Sequence, residues 1–309
     1  MPTDFDISAG DSKYLNRIQE CFPHLVIETI RANQDGLIND VLIVNEQLVF
    51  RFPKNETWAR DLLANEIRVI QLARNYLDVQ IPEIEYQAAD LMAYRFISGS
   101  ALQRNDILVL DENEQDEIAH RLATYLEQLH SIPMDEIERH QIAQSDTNRD
   151  HRVWVKLFED VKRELFPLMM PHAREWVTDH FTPIFDDEEF MNYQPCLING
   201  DMTPYHILFD RQARRINGII DFGTAGIGDP AADFASLIYF YGESFLRRMA
   251  KLYPEIRDAV DRARFWSGTL ELQWALSGIR AENSDWSWFT VHLGGARDVM
   301  PIGIEWSKK

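Results

Sequence analysis

One stretch of the chain, residues 196–233, constrains the fold most, because it places two acidic residues beside two short β-like runs. Asp201 comes just before the first run, at 207–209, and Asp221 ends the second run, at 216–220. A carboxylate beside an apolar strand is costly unless something binds it. The two runs predict a hairpin that brings both carboxylates to a common point, which is the arrangement that phosphoryl transfer needs.

The motifs of this stretch carry a resemblance to a known family. The sequence reads NGDMTPYHIL around Asp201, then GIIDFG at Asp221 and GDPAADF after it. The spacing resembles the catalytic and metal segments of the protein-kinase-like fold. In this order the composite is similar to the aminoglycoside phosphotransferase family, which includes 2″-aminoglycoside kinases and macrolide 2′-kinases. The resemblance follows nearly the whole chain in element order and is specific over 49–52, 129–133 and 198–234.

The resemblance implies an α+β fold with two lobes, a small antiparallel-sheet N-lobe and a larger, mostly helical C-lobe. Residues 1–97 form the predicted nucleotide-binding lobe, and residues 98–309 the lobe with the catalytic loop and the substrate site. The residue pattern agrees, since β-rich runs at 25–30, 40–44 and 48–52 predict an antiparallel meander. Apolar residues at three- and four-residue steps follow and predict helices.

The chemistry of the predicted site rests on three residues. By the resemblance, Asp201 is the catalytic residue, which orients the acceptor hydroxyl and takes its proton. His206 and Asp221 are the predicted ligands of Mg²⁺, with ATP or GTP as the phosphate donor. His206 replaces the asparagine of most kinases, so two roles stay open: a metal ligand, or a contact to the phosphate or the substrate.

The resemblance implies that five residues of the first lobe bind the nucleotide. The turn around Gly36 takes the place of the phosphate loop, although a plain hairpin turn is an alternative. Arg51 stands where kinases carry a lysine. Glu66 lies in the apolar stripe of the next helix and needs a cationic partner there. The resemblance implies that this partner is Arg51; an edge carboxylate reaching solvent is the alternative. Arg95 and Ile97, before the turn between the lobes, are predicted to hold the purine through backbone groups.

The acceptor site is predicted to involve Glu243, Glu271 and Trp274. The 2″-aminoglycoside kinases are similar in placing acidic ligands near the first of these, but theirs is a denser cluster. Trp274 and the aromatic segment 286–289 are candidates for lining a sugar or macrolide pocket, although aromatic residues at helical spacing more often belong to a core. His130, in the segment LHSIP, is predicted to pack or to cap a helix.

The formal net charge of −19 argues against nucleic acid or a membrane as a partner, because both demand a basic surface. It suits a small, hydroxylated, cationic substrate, although acidity that only aids solubility explains the charge equally well. There are two cysteines, and no apolar run approaches the roughly 20 residues that span a bilayer. With no secretory signal recognised either, a cytoplasmic location is predicted.

The leading hypothesis is a small-molecule O-kinase that moves the γ-phosphoryl group of ATP or GTP to a hydroxyl of an aminoglycoside-type antibiotic. A macrolide 2′-phosphotransferase or a metabolite kinase of the same fold stays open. So does a pseudokinase that only binds nucleotide, because Arg51, His206 and Asn199 depart from the commonest kinase pattern. The presence of both Asp201 and Asp221 argues against the pseudokinase.

Overall fold

The computed structural model describes residues 11–33, 38–54, 57–145 and 149–280. Gly36 and the aromatic segment 286–289 lie outside the described residues. The strands are β1 (Ile30–Asn33), β2 (Asn39–Val44), β3 (Leu48–Pro53), β4 (Ile84–Ala88), β5 (Leu91–Arg95), β6 (Ser100–Ala101), β7 (Cys196–Ile198), β8 (Ile207–Asp210), β9 (Arg215–Ile219) and β10 (Gly226–Gly228). The helices are α1 (Asp11–Cys21), α2 (Thr57–Ala73), α3 (Arg104–Leu108), α4 (Glu112–His130), α5 (Met134–Arg139), α6 (His151–Glu164), α7 (Pro171–His180), α8 (Thr182–Asp186), α9 (Ala231–Tyr241), α10 (Glu243–Met249) and α11 (Ile256–Arg280).

The first lobe is built on a five-stranded antiparallel sheet with the order β1-β2-β3-β5-β4. The predicted strand at 25–30 is wrong over most of its length, because β1 begins only at Ile30. The Asn45 side chain accounts for the difference. Its amide oxygen accepts the N–H groups of Glu28 and Thr29 at 2.8 and 3.0 Å, so a side chain replaces a neighbouring strand there.

Alternation along β3 decides which side chains face α2. Phe50 and Phe52 join a small apolar cluster with α1, whereas Val49 belongs to the main core with Leu63 of α2. Successive side chains of a strand point to opposite faces. Arg51 therefore shares the face of Val49, and it is buried between the sheet and α2.

The second lobe is mainly helical. α4 begins with a capping box, in which the Asp111 carboxylate accepts the Glu114 N–H at 2.9 Å and the Glu114 carboxylate accepts the Asp111 N–H at 3.0 Å. This satisfies donors that a helix start leaves unpaired. Leu122, Leu126 and Leu129 of α4 are fully buried, as their spacing predicts. α4 thus forms a fixed support that ends beside the catalytic loop.

The β8–β9 hairpin sets the geometry of the predicted site. Ile207 lies opposite Ile219 in this antiparallel pair, and β6 adds to the other side of β8. Past the end of the ladder, the Ile220 N–H donates to the His206 carbonyl at 2.9 Å. The residues just before β8 and just after β9 are therefore held side by side.

Candidate active site

The hairpin brings the three predicted catalytic and metal-binding residues together. The His206 imidazole lies between two carboxylates: Nδ1 is 3.5 Å from Asp201 Oδ2, and Nε2 is 3.6 Å from Asp221 Oδ2. The aspartates are twenty positions apart in sequence, and the hairpin occupies most of the chain between them. Both carboxylates therefore line one cleft.

The surroundings of His206 assign its ring proton. Nδ1 is 3.1 Å from the main-chain oxygen of Asp201, which can only accept a hydrogen bond. In the neutral ring Nδ1 therefore carries the proton, and Nε2 presents its lone pair towards the Asp221 carboxylate. A lone pair and a carboxylate oxygen repel each other unless a cation or a proton lies between them. A bound cation at Nε2 or a second ring proton would each relieve this repulsion, so both roles that the sequence leaves open stay predictions.

The backbone of the catalytic loop, residues 199–201, is fixed by contacts with neighbouring residues. Gly200 has φ +80°, where other residues are strained, and a Cβ atom there would lie 2.9 Å from the Thr224 carbonyl oxygen. The Asn199 amide oxygen accepts the Asp201 N–H at 3.0 Å, and its nitrogen donates to the buried Tyr125 hydroxyl at 3.1 Å. Asn199 therefore fixes the conformation of the loop from its buried side.

The environment of Asp201 favours a stronger base. Burial raises the pKa of Asp201, and the nearby Asp221 charge raises it further, while His206 lowers it. A carboxylate with a raised pKa accepts a proton more readily than an ordinary one. Asp201 therefore has the acid–base character of the group that takes a proton from a hydroxyl.

Arg51 links the sheet, α2 and the cleft. Its Nη1 lies 2.8 Å from Glu66 Oε1, which is the predicted ion pair, and its Nη2 lies 3.1 Å from Asp221 Oδ1. A planar guanidinium reaches two carboxylates at once, which a lysine ammonium does less well. Glu66 also accepts the Phe222 N–H at 3.1 Å, so α2 contacts the turn after β9 directly. Burial raises the pKa of Glu66 to about 7, although the charge of Arg51 lowers it.

Asp221 has an unusual backbone and a stabilised charge. Its φ of 64° lies in the left-handed region that residues other than glycine seldom adopt. The Gly223 N–H donates to its Oδ1 at 3.2 Å. Burial would raise the pKa of Asp221, but Arg51, His206 and the Gly223 N–H lower it to about 2. The Asp221 carboxylate is therefore ionised throughout the neutral range.

A cavity of about 280 Å³ opens next to this cleft. Its charged lining consists of Arg31, Arg51, His206 and Asp221. Tyr94 is also in the wall, and the apolar lining comes from both lobes: Val41, Val49, Phe96, Ile97, Leu208 and Ile220. Such a cavity can hold a flat ring between apolar walls while an attached anion reaches the cation.

The two predicted purine-binding residues differ in position. Ile97 lines the cavity and is buried. Arg95 turns to the surface, where it pairs with Glu83 and Glu85, and its N–H donates to the Glu83 carbonyl at 3.1 Å. The N–H of Arg95 is therefore not available to a purine, and a contact through its carbonyl group stays a prediction.

Glu243 does not offer a free carboxylate. Arg264 Nε lies 2.9 Å from its Oε2, and Arg247 Nη2 lies 2.7 Å from its Oε1. Arg264 and Arg247 lower the pKa of Glu243 to about 2. The structure therefore argues against Glu243 as an acidic ligand of the acceptor, since two guanidinium groups neutralise it.

Glu271 and Trp274 lie together on α11 and contact α9 through Tyr239. The Tyr239 hydroxyl donates to the Glu271 carboxylate, and the Tyr239 and Trp274 rings meet edge to face at 5.1 Å. The sequence analysis did not single out Tyr239. The sequence signal for Tyr239 is that it begins the aromatic segment 239–241, but aromatic segments usually indicate a core.

The donors present fit a metal that is held partly by a substrate. Among the described residues, no group of three or more His, Cys, Asp and Glu side chains could hold a metal ion by itself. Asp221 and His206 instead supply one carboxylate and one imidazole nitrogen 3.6 Å apart. Mg²⁺ is commonly bound by one or two protein carboxylates together with phosphates and water. Asp221 and His206 fit such a magnesium site, in which the imidazole is the less usual ligand.

Two lobes with a cavity between them, lined by His206 and Asp221, and with Asp201 on the other side of His206, define a kinase-like protein. The chain belongs to the APH phosphotransferase enzyme family, whose sequence profile it matches over residues 29–266. The predicted family, the two-lobed α+β fold and the phosphotransferase class are thereby confirmed. The boundary between the lobes stays a prediction.

Individual relatives agree with this assignment. Viomycin phosphotransferase of Streptomyces vinaceus is 28% identical over 187 residues, which are 60% of this chain and 62% of that protein. The GDP and kanamycin complex of APH(2″)-IIIa is 26% identical with a TM-score of 0.81, covering 92% of this chain and 97% of that one. A macrolide 2′-phosphotransferase type I is 19% identical with a TM-score of 0.71, over 95% and 99%, and shares the fold.

Within the described ranges, no helix is both long enough and apolar enough to cross a bilayer.

Proposed function

We propose that the protein transfers the γ-phosphoryl group of a nucleoside triphosphate to a hydroxyl of an aminoglycoside-type antibiotic. The observation that carries this proposal is the cleft in which one imidazole lies within 3.6 Å of both Asp201 and Asp221. The relative APH(2″)-IIIa has been solved with GDP and kanamycin. The net charge of −19 suits a cationic acceptor.

The nucleotide occupies the cavity between the lobes in this proposal. Its base packs between the apolar walls, with the backbone of Ile97 beside it, and its phosphates extend towards Arg51. The phosphate-loop role of Gly36 stays a prediction, because this residue lies outside the described ones. GDP in the complex of the relative favours a guanine nucleotide, and ATP is the alternative donor.

His206 and Asp221 would hold Mg²⁺ together with phosphate oxygens. When bound, the metal neutralises charge that develops on the transferring phosphoryl group. The Asp201 carboxylate accepts a hydrogen bond from the acceptor hydroxyl, orients it towards the phosphorus and takes its proton. Asn199 and Gly200 keep the base in place while it does so.

The acceptor binds beside Tyr239, Glu271 and Trp274. An ammonium group of the acceptor pairs with the Glu271 carboxylate, and a sugar ring packs on the exposed part of the Trp274 indole. Tyr239 orients Glu271 through its hydroxyl. This subsite joins a negative charge to an aromatic surface, as a cationic sugar requires.

Glu271→Gln is expected to raise the KM for an aminoglycoside about tenfold, since a hydrogen bond to a charged group is lost. The KM for the nucleotide stays unchanged. Glu243→Gln is the matched control, because two arginines already neutralise that carboxylate. Steady-state kinetics with each substrate varied in turn measure both values. An equal effect of the two substitutions would argue against the subsite.

A substrate panel tests the proposed function. Nucleotide-coupled turnover is measured with kanamycin, gentamicin, a macrolide, simple polyols and no acceptor, each with GTP and with ATP. Stimulation by aminoglycosides alone is the expected result. Stimulation by the macrolide or by polyols would point to those acceptors, and no transfer to any alcohol would establish the nucleotide-binding scaffold.

A further inference from the structure

We infer that Asn65 is a positioning residue, which fixes α2 against the second lobe and thereby keeps the Glu66–Arg51 ion pair in place beside the nucleotide site. This role depends on the proposed phosphoryl transfer, in which Arg51 faces the phosphates. Asn65 directly precedes Glu66 in α2, and it is only 5% exposed. Since Asn65 is not among the residues that line the nucleotide cavity, it acts through its neighbours.

Both ends of the Asn65 amide are bonded to the main chain of the second lobe. Nδ2 donates to the Ala225 carbonyl at 2.9 Å, and Oδ1 accepts the Ala143 N–H at 2.9 Å. These bonds assign the orientation of the amide, because the reverse orientation would bring donor to donor and acceptor to acceptor. One side chain of α2 therefore connects two segments of the second lobe that are distant in sequence.

The Asn65 amide takes the place of one hydrogen bond between these two segments. Gln144 and Ile227 form a parallel bridge, in which the Ile227 N–H donates to the Ala143 carbonyl at 3.0 Å. If the parallel ladder continued, its next bond would join the Ala143 N–H to the Ala225 carbonyl. The amide lies between these two groups and bonds both of them. α2 is thus part of the pairing and does not merely pack against it.

The cost of placing Asn65 on the buried face of α2 is offset by the second lobe. Asparagine forms helices less readily than leucine or alanine, and a buried amide without partners is unfavourable. Ala225 is buried as well, so its carbonyl would be left without a donor if the amide were removed. The Asn65 amide therefore stabilises the contact between the lobes and not α2 by itself.

Glu66 links the position of α2 to the nucleotide site. Its Oε1 lies 2.8 Å from Arg51 Nη1 and accepts the Phe222 N–H at 3.1 Å. Arg51 Nη2 lies 3.1 Å from Asp221 Oδ1. Because Asn65 and Glu66 are adjacent in one helix, a displacement of α2 at Asn65 would move the Glu66 carboxylate. The guanidinium and the turn after β9 would then lose their common partner.

The test compares Asn65→Leu with Asn65→Asp. Leucine has the same branched arrangement of heavy atoms as asparagine but forms neither hydrogen bond. We expect kcat to fall about 10- to 100-fold in this variant, because a small displacement of catalytic groups has such an effect. The ionised carboxylate introduced by Asn65→Asp repels the Ala225 carbonyl and should lower kcat as well. When protonated, it can donate to that carbonyl and still accept the Ala143 N–H, as the amide does.

The pH dependence separates the hydrogen bonds from packing. A carboxyl group beside a carbonyl oxygen has a raised pKa, because the charged form is disfavoured there. The ratio of kcat in Asn65→Asp to kcat in the wild type should therefore rise severalfold as the pH falls from about 8 to about 6, and the ratio for Asn65→Leu should stay constant. The charged groups near Asn65, which are Asp61, Glu66 and Arg68, are common to all three proteins.

A second readout does not depend on turnover. Hydrogen–deuterium exchange is measured on the full chain without nucleotide. The Phe222 amide, which donates to Glu66, should exchange faster in Asn65→Leu. The Ile220 amide, which donates to the His206 carbonyl within the second lobe, should exchange at the wild-type rate. Unchanged exchange at Phe222 would overturn the inference, and so would faster exchange with an unchanged kcat.

An inactive wild type would refute the proposed function, while exchange at Phe222 would still decide whether Asn65 fixes α2. Asn75→Leu is the matched control, because the Asn75 amide lies just past α2 and donates to the Gln71 carbonyl of its own lobe at 3.4 Å. It should leave kcat and the exchange of Phe222 within about twofold of the wild type. If Asn65→Leu fails to fold, Asn65→Asp decides: a kcat ratio that stays constant with pH would contradict the inference.

Discussion

Replacing Asp201 with asparagine is expected to lower kcat for phosphoryl transfer by about 10²- to 10⁴-fold, the usual contribution of a positioned base. The amide keeps the size and the hydrogen-bonding shape of the side chain, but it cannot take the proton. Nucleotide affinity should persist, because Arg51 and the apolar walls form the cavity. Turnover of the aminoglycoside and calorimetric titration with a non-hydrolysable nucleotide measure the two effects.

The control for this substitution is Glu188→Gln, which neutralises an exposed carboxylate. It should leave kcat within a factor of about two, as expected for a surface position. Transfer by Asp201→Asn at more than about a tenth of the wild-type rate would remove Asp201 from the role of base. A simultaneous loss of nucleotide binding would instead indicate that the loop has collapsed.

Replacing Arg51 with methionine is expected to lower the free energy of unfolding by about 3–5 kcal/mol, because it leaves buried charge without a partner. Glu66 is fully buried, and Asp221 loses the contact of 3.1 Å that lowers its pKa. Nucleotide binding should weaken strongly as well, since the cation lines the charged part of the cavity. Urea denaturation and nucleotide titration measure the two losses.

The double substitution Arg51→Met with Glu66→Gln separates charge from packing. The side chain introduced by Glu66→Gln is neutral, and its amide oxygen can still accept the Phe222 N–H. Part of the lost stability should therefore return, while nucleotide binding stays weak. If the single variant is as stable as the wild type, the ion pair makes no net contribution. If the double variant is less stable still, unpaired charge is not the cause.

Contacts could be predicted from the sequence where one physical requirement dominated. Glu66 lies in an apolar stripe, and a buried carboxylate needs a cation, so its pairing with Arg51 was predictable. The two aspartates were predictable for a similar reason, because each flanks a short strand of one hairpin. In these cases the spacing along one or two elements determines the contact.

The contacts that sequence did not reveal depend on how distant elements pack. Glu243 is neutralised by arginines of α10 and α11, and nothing in its neighbourhood along the chain indicates Arg264. His130 meets Asp233 across 103 residues of sequence. The N–H of Arg95 is bonded by Glu83, which depends on the pairing of strands. Local patterns do not contain such information.

The Arg51 guanidinium is shared by Glu66 and Asp221, so its pairing would depend on whether a metal ion is bound. The Arg51 guanidinium pairs with two carboxylates, so a divalent ion held by Asp221, as proposed, would balance part of the charge there and leave Arg51 to Glu66. By thermodynamic reciprocity, stronger packing of α2 would then raise the affinity for the ion by the same factor. If Asp221 holds the ion as proposed, the packing of α2 and the binding of the ion would therefore be coupled.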